Sequence, residues 1–506
     1  MLNINSHHPL ILYNSLFLIS NSHQLLIGMI FHKKRKLVWP YILLFVVLVV
    51  GVTGFLVFRF VSNLTPEQIL ESPFLREQVK NFGGEDIDDE LFDILPDLMG
   101  FSGSKTYLLL FLNNTELRPG GGFIGSYGVV KVADAHPEVL VIDGTENLDR
   151  NTPDFWRPVP PKVITEHLGV DRWYFRDSNW SPDFQESTKK SLEFYKAEGG
   201  IASSDIDGVI GITPTVLEGL MELTGPFTVE GITFTSENVT EALEYEVEYG
   251  YLDRGIDVMD RKKIMGVFLD QLISHLKRNA LTNLSLYLPT VTNLLDEKHI
   301  IVSMNDEDLQ RVFDEQGWNG EISKTKKDYL LWVDANLAAL KTDHAMERNL
   351  TYSFEKLDDG RYVAEAKMEY IHNGVFDWRT SRYLSYARVF VPRGSELVEV
   401  VGSNKNIDEG EELDKQWFGA FVSVEPGETK SIVFRYILPN EVFSVDMYKL
   451  VVQKQLGTLD HGLTLDLDFG TNIDRAIPAE ENKNWGDSRY VVDTDLVLDR
   501  DFEVEL

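Results

Sequence analysis

A run of 22 uncharged residues, Leu37 to Phe58, lies directly behind the basic cluster at 33–36 and constrains this chain more than any other feature. A helix of that length is roughly 33 Å long, close to the hydrocarbon thickness of a bilayer. The run is longer than the hydrophobic part of a signal peptide, and no small-residue cleavage site follows it. It therefore predicts an uncleaved transmembrane helix at 37–60.

The charges around this run predict its orientation. Four basic residues precede it, and no acidic residue occurs before Glu67; such a bias favours the cytoplasmic side for the N-terminus. Residues 1–36 are thus expected in the cytoplasm and the rest of the chain outside it. Residues 1–28 carry no Asp, Glu, Lys or Arg. We interpret them as a mis-called start before Met29, which intact-mass measurement tests.

The part of the chain beyond the membrane run is strongly acidic. The protein has 48 basic and 80 acidic residues, and the first 66 residues hold five of the basic ones and none of the acidic ones, which leaves a formal charge of −37 for the remainder. Such a surface repels phosphate backbones, so nucleic-acid binding is not expected. The absence of cysteine excludes disulfides and thiolate chemistry, as well as the commonest structural zinc sites.

The pattern beyond the membrane run divides into four segments. Residues 61–104 are acidic, contain helix-start signals and predict a helical stem. In 105–344, short apolar strands alternate with amphipathic helices, which predicts a layered α/β domain with a mixed sheet. In 345–475, short alternating strands are separated by turn residues, which is typical of an all-β, Ig-like sandwich. Residues 476–506 are predicted to be an acidic C-terminal segment.

The densest motif is NNTELRPGGGFIGSYG, residues 113–128. Gly120, Gly122 and Gly125 match the GxGxxG pattern of a dinucleotide site. That site needs a helix after the glycines, whereas the β-rich sequence YGVVKV follows here. No nucleotide cofactor is therefore expected.

Glu116 and Arg118 lie at the start of the same motif. Side chains two residues apart in a strand share a face, so the pair can be interpreted in two ways. In the first, the two side chains form an ion pair that stabilises the loop. Alternatively, Arg118 binds a phosphate or carboxylate with help from backbone amides, with Glu116 at the rim. The glycines that leave such amides accessible are Gly120, Gly121 and Gly122.

A second motif, RDSNWSPDF at 176–184, precedes a predicted helix. Asp183 is interpreted either as the cap of that helix or, with Asp177 and Asn179, as an oxygen ligand of a hard cation such as Mg²⁺. The candidate metal ligands are the two aspartates. With Arg176 beside them, the acids suit a metal-assisted phosphoryl site.

Two further segments complete a family resemblance: IDGVIGITPTVLEGLMELTGPFTV (206–229) and DANLAALKTD (334–343). Together with the two motifs above, they resemble the bacterial family known as domain of unknown function four thousand and twelve, over about residues 105–345. The resemblance implies a single-pass envelope protein with an extracytoplasmic domain, often followed by a β-sandwich. It implies no established activity.

A more distant resemblance is to the LytR-CpsA-Psr phosphotransferases, which attach glycopolymers from a polyprenyl-pyrophosphate carrier to the cell wall. It implies catalytic roles for Arg118 and Arg176 at the pyrophosphate, and for Asp177 or Asp183 at Mg²⁺. The sequence departs from those enzymes at 141–145, where their Pro-Arg-Asp strand end is replaced by VIDGT.

Two functional hypotheses follow for a protein of the cell membrane. In the first, the α/β domain handles an envelope glycan or a polyprenyl-linked substrate, as an Mg²⁺-dependent phosphotransferase. In the second, it is a non-catalytic module that binds or organises envelope polymer. Convergence of Arg118, Arg176 and an aspartate on one cleft would favour the enzyme, and burial of Arg118 against Glu116 would favour the binding module.

Overall fold

The computed structural model describes residues 89–506, except 259–260, 262, 280–283, 404–406, 444–446 and 482. The predicted cytoplasmic segment 1–36, the transmembrane helix 37–60 and stem residues 61–88 lie outside the described residues. Within the described part, no helix combines the length and the apolar character that a bilayer crossing requires.

The first part of the fold is built on a mixed sheet. Its strands and a nearby hairpin are β1 (Lys105–Asn113), β2 (Phe123–Ala133), β3 (His136–Gly144), β4 (Gly208–Ile212), β5 (Phe227–Val229), β6 (Ile232–Phe234) and β7 (Ile300–Met304). The sheet order is β3-β2-β1-β4-β7, and β5 pairs with β6 separately. The central strand β1 is antiparallel to β2 and parallel to β4. The mixed sheet expected for this region is therefore confirmed.

Helices cover both faces of this sheet. They are α1 (Asp89–Leu98), α2 (Thr145–Arg150), α3 (Lys162–Leu168), α4 (Phe184–Ala197), α5 (Thr215–Thr224), α6 (Val239–Tyr245), α7 (Tyr251–Asp253), α8 (Lys263–Asn279), α9 (Leu284–Asp296) and α10 (Glu307–Glu315). In β1, Leu108 and Leu110 pack in the same core as Phe184 and Phe194 of α4, whereas Leu109 packs in the core that contains α5, α8 and α9. Burial on both faces explains the continuous apolar run of this strand.

The end of the predicted stem 61–104 belongs to the α/β core. Leu95, Leu98 and Met99 are buried with the sheet residues, and the Tyr107 hydroxyl donates a hydrogen bond of 2.7 Å to the Leu98 carbonyl. These apolar residues gain more by packing against the sheet than by remaining in a solvated spacer.

The second part is an all-β region of two packed sheets. Its strands are β8 (Asp328–Asn336), β9 (Met346–Lys356), β10 (Tyr362–His372), β11 (Tyr383–Pro392), β12 (Glu396–Val401), β13 (Asp408–Glu412), β14 (Lys415–Val424), β15 (Thr429–Leu438), β16 (Met447–Gln453), β17 (Gly462–Asp468), β18 (Arg475–Ile477), β19 (Arg489–Asp495) and β20 (Arg500–Glu505). The orders are β12-β15-β10-β9-β17-β19 and β13-β14-β11-β8-β16-β20-β18. Both sheets contribute to one aromatic-rich core.

The boundaries between the two parts of the fold differ from the boundaries of the segments predicted from the sequence. Strand β8 lies within the predicted α/β segment 105–344, but it pairs with β11 and β16 of the seven-stranded sheet. The segment 476–506 supplies β19 and β20 as sheet strands. The pairs β8–β16 and β9–β17 are parallel, which departs from an antiparallel Ig-like sandwich. Because β8 is buried along its whole length, its pattern does not reveal which sheet it joins.

Candidate functional site

The motifs at 113–128, 176–184 and 334–343 meet where the α/β part contacts the sandwich; we call this contact the motif junction. The Leu117 carbonyl accepts a hydrogen bond of 3.0 Å from the Asn336 amide, and the Thr115 carbonyl accepts one of 3.1 Å from the Asp343 amide. The Leu117 amide donates to Asp343 Oδ2 at 3.0 Å. The first motif therefore pairs, by backbone and side chain, with the third.

Arg118 lies inside this junction and is 2 % exposed. Its Nε donates to Asp177 Oδ1 and its Nη2 to Glu116 Oε1, both at 3.2 Å. Its Nη1 donates to the Leu117 and Asn336 carbonyls. Every nitrogen of the guanidinium is thus bound to a protein group. Of the two interpretations given above, the contact with Glu116 corresponds to the ion pair within the loop.

The glycines at the motif junction allow close backbone approach. The Gly120 amide donates to the Asn179 carbonyl at 3.0 Å, and Asn179 Nδ2 donates to the Gly122 carbonyl at 2.7 Å. A Cβ atom on Gly120 would lie 2.9 Å from the Asn179 backbone oxygen. The Gly121 amide donates to the Arg118 carbonyl at 3.0 Å. The amides of Gly120 and Gly121 therefore hold the junction together.

Gly122 and Gly125 form a matched pair for a test of this packing. Gly122 has a φ of +154°, and a Cβ atom there would lie 2.6 Å from the Asn113 carbonyl carbon, whereas the nearest atom to a Cβ on Gly125 is 3.9 Å away. We expect Gly122→Ala to lower the free energy of unfolding by about 2 kcal/mol or more. Gly125→Ala should change it by less than ~0.5 kcal/mol. Urea unfolding of both variants measures the difference, and equal costs would contradict the packing described.

The two aspartates predicted to bind metal are hydrogen-bonded to protein groups. Asp183 Oδ1 accepts from the Glu186 amide at 3.0 Å, which caps α4, and its Oδ2 accepts from the Ile322 amide at 2.9 Å. Burial raises the pKa of Asp183. Asp177 is bound to Arg118. Across the described residues, no three His, Cys, Asp or Glu side chains are grouped so that they could hold a metal ion.

Arg176 is paired with a different acid from the one that Arg118 contacts. Its Nε is hydrogen-bonded to Asp149 Oδ2, and its side chain is 36 % exposed. The guanidinium also lies 5.5 Å from the centre of the Tyr174 ring. Arg118 and Arg176 are therefore paired with different carboxylates, those of Asp177 and Asp149.

A pair of buried carboxyl groups lies beside Arg176, and no sequence motif predicted it. Asp149 and Glu198 are 4 % and 2 % exposed, and the charge of Asp149 acts on the carboxyl group of Glu198. The Phe175 amide donates to Glu198 Oε1 at 3.1 Å. Burial, followed by the charge of Asp149, raises the pKa of Glu198 to about 8. The pair therefore keeps a proton at neutral pH.

Further polar groups extend the junction into the sandwich. Gln455 Nε2 donates to the Arg118 carbonyl at 3.2 Å and to the Asp334 carbonyl at 2.8 Å. Arg348 joins Asp334, at 3.0 Å, to Asp343. The third motif contains these two acids, but Arg348 and Gln455 follow no recognisable pattern. Sequence reasoning could find them only by knowing that β8 enters the second sheet.

Comparisons with solved structures give weak likenesses. A protein described as nutrient-binding, from Legionella pneumophila, has 9% sequence identity and a TM-score of 0.22, covering 35% of this chain and 70% of that chain. An M1 zinc metallopeptidase from Deinococcus radiodurans has 8% identity and a TM-score of 0.16, covering 32% and 42%. Scores this low carry no argument about fold or function.

The family comparison is more informative. No curated protein matches the chain. A family described as "Protein of unknown function (DUF4012)" matches residues 102–248, a range that includes the first two motifs of the junction and ends before the third. The resemblance expected from the motifs at 113–128 and 176–184 is thereby confirmed for residues 102–248, which match the DUF4012 family.

Proposed function

We propose that this chain is a single-pass envelope protein whose extracytoplasmic part binds or organises a cell-surface polymer without catalysing phosphoryl transfer. The observation that supports this most is the burial of Arg118, whose guanidinium is bound on all sides by Glu116, Asp177 and two carbonyls. The uncharged run 37–58 and the acidic remainder of the chain support the anchored, extracytoplasmic location.

Energetics argue against Arg118 as a phosphate ligand. A phosphate would have to displace two carboxylates and two carbonyls from a guanidinium that is only 2 % exposed. Separating a buried arginine from its acids leaves uncompensated buried charge, which is strongly unfavourable. Arg118 is therefore better suited to joining the two parts of the fold than to contacting a substrate.

The remaining groups of a LytR-CpsA-Psr-like site are also occupied or missing. Arg176 is paired with Asp149, and both oxygens of Asp183 accept backbone hydrogen bonds. At 141–145 the chain has no arginine. Stabilising the charge of a transferring pyrophosphate requires several such cations, so a polymer-binding role accounts for the arrangement more simply.

Two assays on the purified full-length chain in detergent test this proposal. With a lipid-pyrophosphate-linked glycan and Mg²⁺, we expect no release of polyprenyl phosphate above the level without protein. A LytR-CpsA-Psr enzyme serves as the positive control. In a sedimentation assay, the same chain should bind isolated cell-wall polysaccharide.

The variant for this test is Arg176→Ala, because the Arg176 side chain is 36 % exposed and a substrate could reach it. Turnover that is present in the natural chain and lost in Arg176→Ala would overturn the non-catalytic proposal. Failure to bind any fraction of envelope polymer would overturn it as well. Circular dichroism of the variant shows whether its fold is retained.

A further inference from the structure

Two exposed tyrosines and a half-buried tryptophan form an aromatic cluster outside the buried junction. Tyr245 and Tyr249 are 39% and 45% exposed, and both pack against Trp378, with ring centres 5.4 Å and 5.7 Å from it. The two tyrosine rings are 6.2 Å apart. We call these three residues the aromatic surface. Large aromatic rings that remain in contact with solvent in this way are typical of binding surfaces.

The backbone that presents the two tyrosines is unusual. Helix α6 passes directly into a π-helical segment, Glu246–Gly250. A π-helical turn holds an extra residue, costs stability and occurs often at functional sites. The π-helical segment begins directly after Tyr245 and contains Tyr249, so the irregular turn lies at the place where the two tyrosines reach the surface.

Both parts of the fold position the aromatic surface. Trp378 follows β10 in the sandwich, and the next residue, Arg379, donates from Nε to Glu244 Oε2 at 2.6 Å. Glu244 Oε1 accepts from Thr115 Oγ1 at 2.7 Å and from Asn113 Nδ2 at 3.1 Å. The first sequence motif therefore holds the glutamate that aligns the two tyrosines with the tryptophan.

The charges beside the rings indicate an uncharged ligand. Glu244 is paired with Arg379, Glu246 with Arg254, and Glu248 with Lys341 at 3.5 Å. Each of these three cations is thus paired with a glutamate. A polyanion would also meet the field of a strongly acidic molecule. Paired ions still offer donors and acceptors to hydroxyl groups.

We propose that the aromatic surface binds an uncharged polysaccharide by stacking pyranose rings on Tyr245, Tyr249 and Trp378. The C–H groups on one face of a pyranose ring pack against an aromatic ring through dispersion and weak hydrogen bonds. The hydroxyl groups at the ring edge reach the flanking carboxylates and cations. This inference rests on the proposed polymer-binding function and names its surface and its ligand class.

Affinity electrophoresis in gels containing a neutral polysaccharide tests the inference on the full-length chain in detergent. The probes are soluble glycol chitin, hydroxyethyl cellulose and, as a polyanion, polyglycerol phosphate. We expect the natural chain to be retarded by at least one neutral polymer and not by the polyanion. Tyr249→Ala and Trp378→Ala should each weaken that retardation at least tenfold in apparent Kd.

Trp485→Ala is the matched control, because Trp485 is an equally exposed aromatic residue, at 45%, outside the aromatic surface. It should bind as the natural chain does. Tyr249→Phe keeps the ring and should retain most of the affinity, which separates stacking from loss of the fold. Thermal unfolding of each variant verifies folding.

The outcomes separate the two proposals. If the natural chain binds cell-wall polysaccharide and the aromatic variants bind equally well, the aromatic surface is not the site, although polymer binding stands. Retardation by polyglycerol phosphate alone would overturn the uncharged ligand class. If instead the aromatic variants change the sedimentation coefficient from oligomer to monomer, the surface joins copies of this chain, and the inference is wrong.

Discussion

Replacement of Arg118 by alanine is expected to lower the free energy of unfolding by about 3–5 kcal/mol. The variant leaves Glu116 and Asp177 without their common cation, and it leaves the Asn336 carbonyl without a donor. Burial already raises the pKa of Glu116 even with the arginine present, so that carboxylate is poorly solvated. Urea unfolding followed by circular dichroism measures the cost.

Arg393→Ala is the control for this prediction. Arg393 also contacts two acids, Glu411 and Asp414, but its side chain is 62% exposed. Exposed ion pairs contribute ~1 kcal/mol or less. A loss at Arg118 as small as that at Arg393 would show that the junction does not depend on the buried charge, and would reopen the phosphate-binding interpretation.

Glu198→Gln is expected to remove a large pH dependence of stability. The pKa of Glu198 is raised to about 8 in the folded protein, against an ordinary value of 4.5. Between these values the folded protein holds a proton that the unfolded chain has released, so stability falls as pH rises through the window. For one proton the slope is at most ~1.4 kcal/mol per pH unit. Glutamine cannot lose that proton, so the variant should lack this contribution to the pH dependence.

Melting temperatures from pH 5 to pH 9 test this expectation. The natural chain should lose stability between pH 5 and about pH 8 relative to Glu198→Gln, with no further divergence above that range. Glu193→Gln removes an exposed carboxylate from helix α4, which Glu198 directly follows. Glu193 is paired with Lys190, and the curve of this variant should follow that of the natural chain. Parallel curves for Glu198→Gln and the natural chain would contradict a proton held by the pair.

The local pattern was sufficient for much of the fold. The continuous apolar run at Tyr107–Leu112 predicts a strand buried on both faces, and β1 is such a strand. The turn residues after 345 predict an all-β region, which is present. Strand β8 shows the limit of this reasoning: it is buried along its whole length, as an interior strand of either sheet would be. Only pairing with distant strands assigns it to the sandwich.

The candidate site shows a different limit. Sequence reasoning singled out Glu116, Arg118 and Asp177, and the structure brings these three into contact. Sequence reasoning did not reveal that the Asn336 carbonyl and the Gln455 side chain, both in the sandwich, form hydrogen bonds with Arg118. Those contacts join residues more than 200 positions apart. A motif shows which polar groups are present, but burial decides whether they face a ligand or one another.

The motif junction joins the segment that carries the family signature to the later β-structure. The family match covers 102–248, yet Arg118 and Leu117 of that range are satisfied by Asn336 and Asp343 outside it. A shortened chain that stopped before β8 would leave Arg118 Nη1 without the Asn336 carbonyl and the Leu117 amide without the Asp343 carboxylate. In this chain, the segment that carries the family signature therefore depends on the β-structure that follows it.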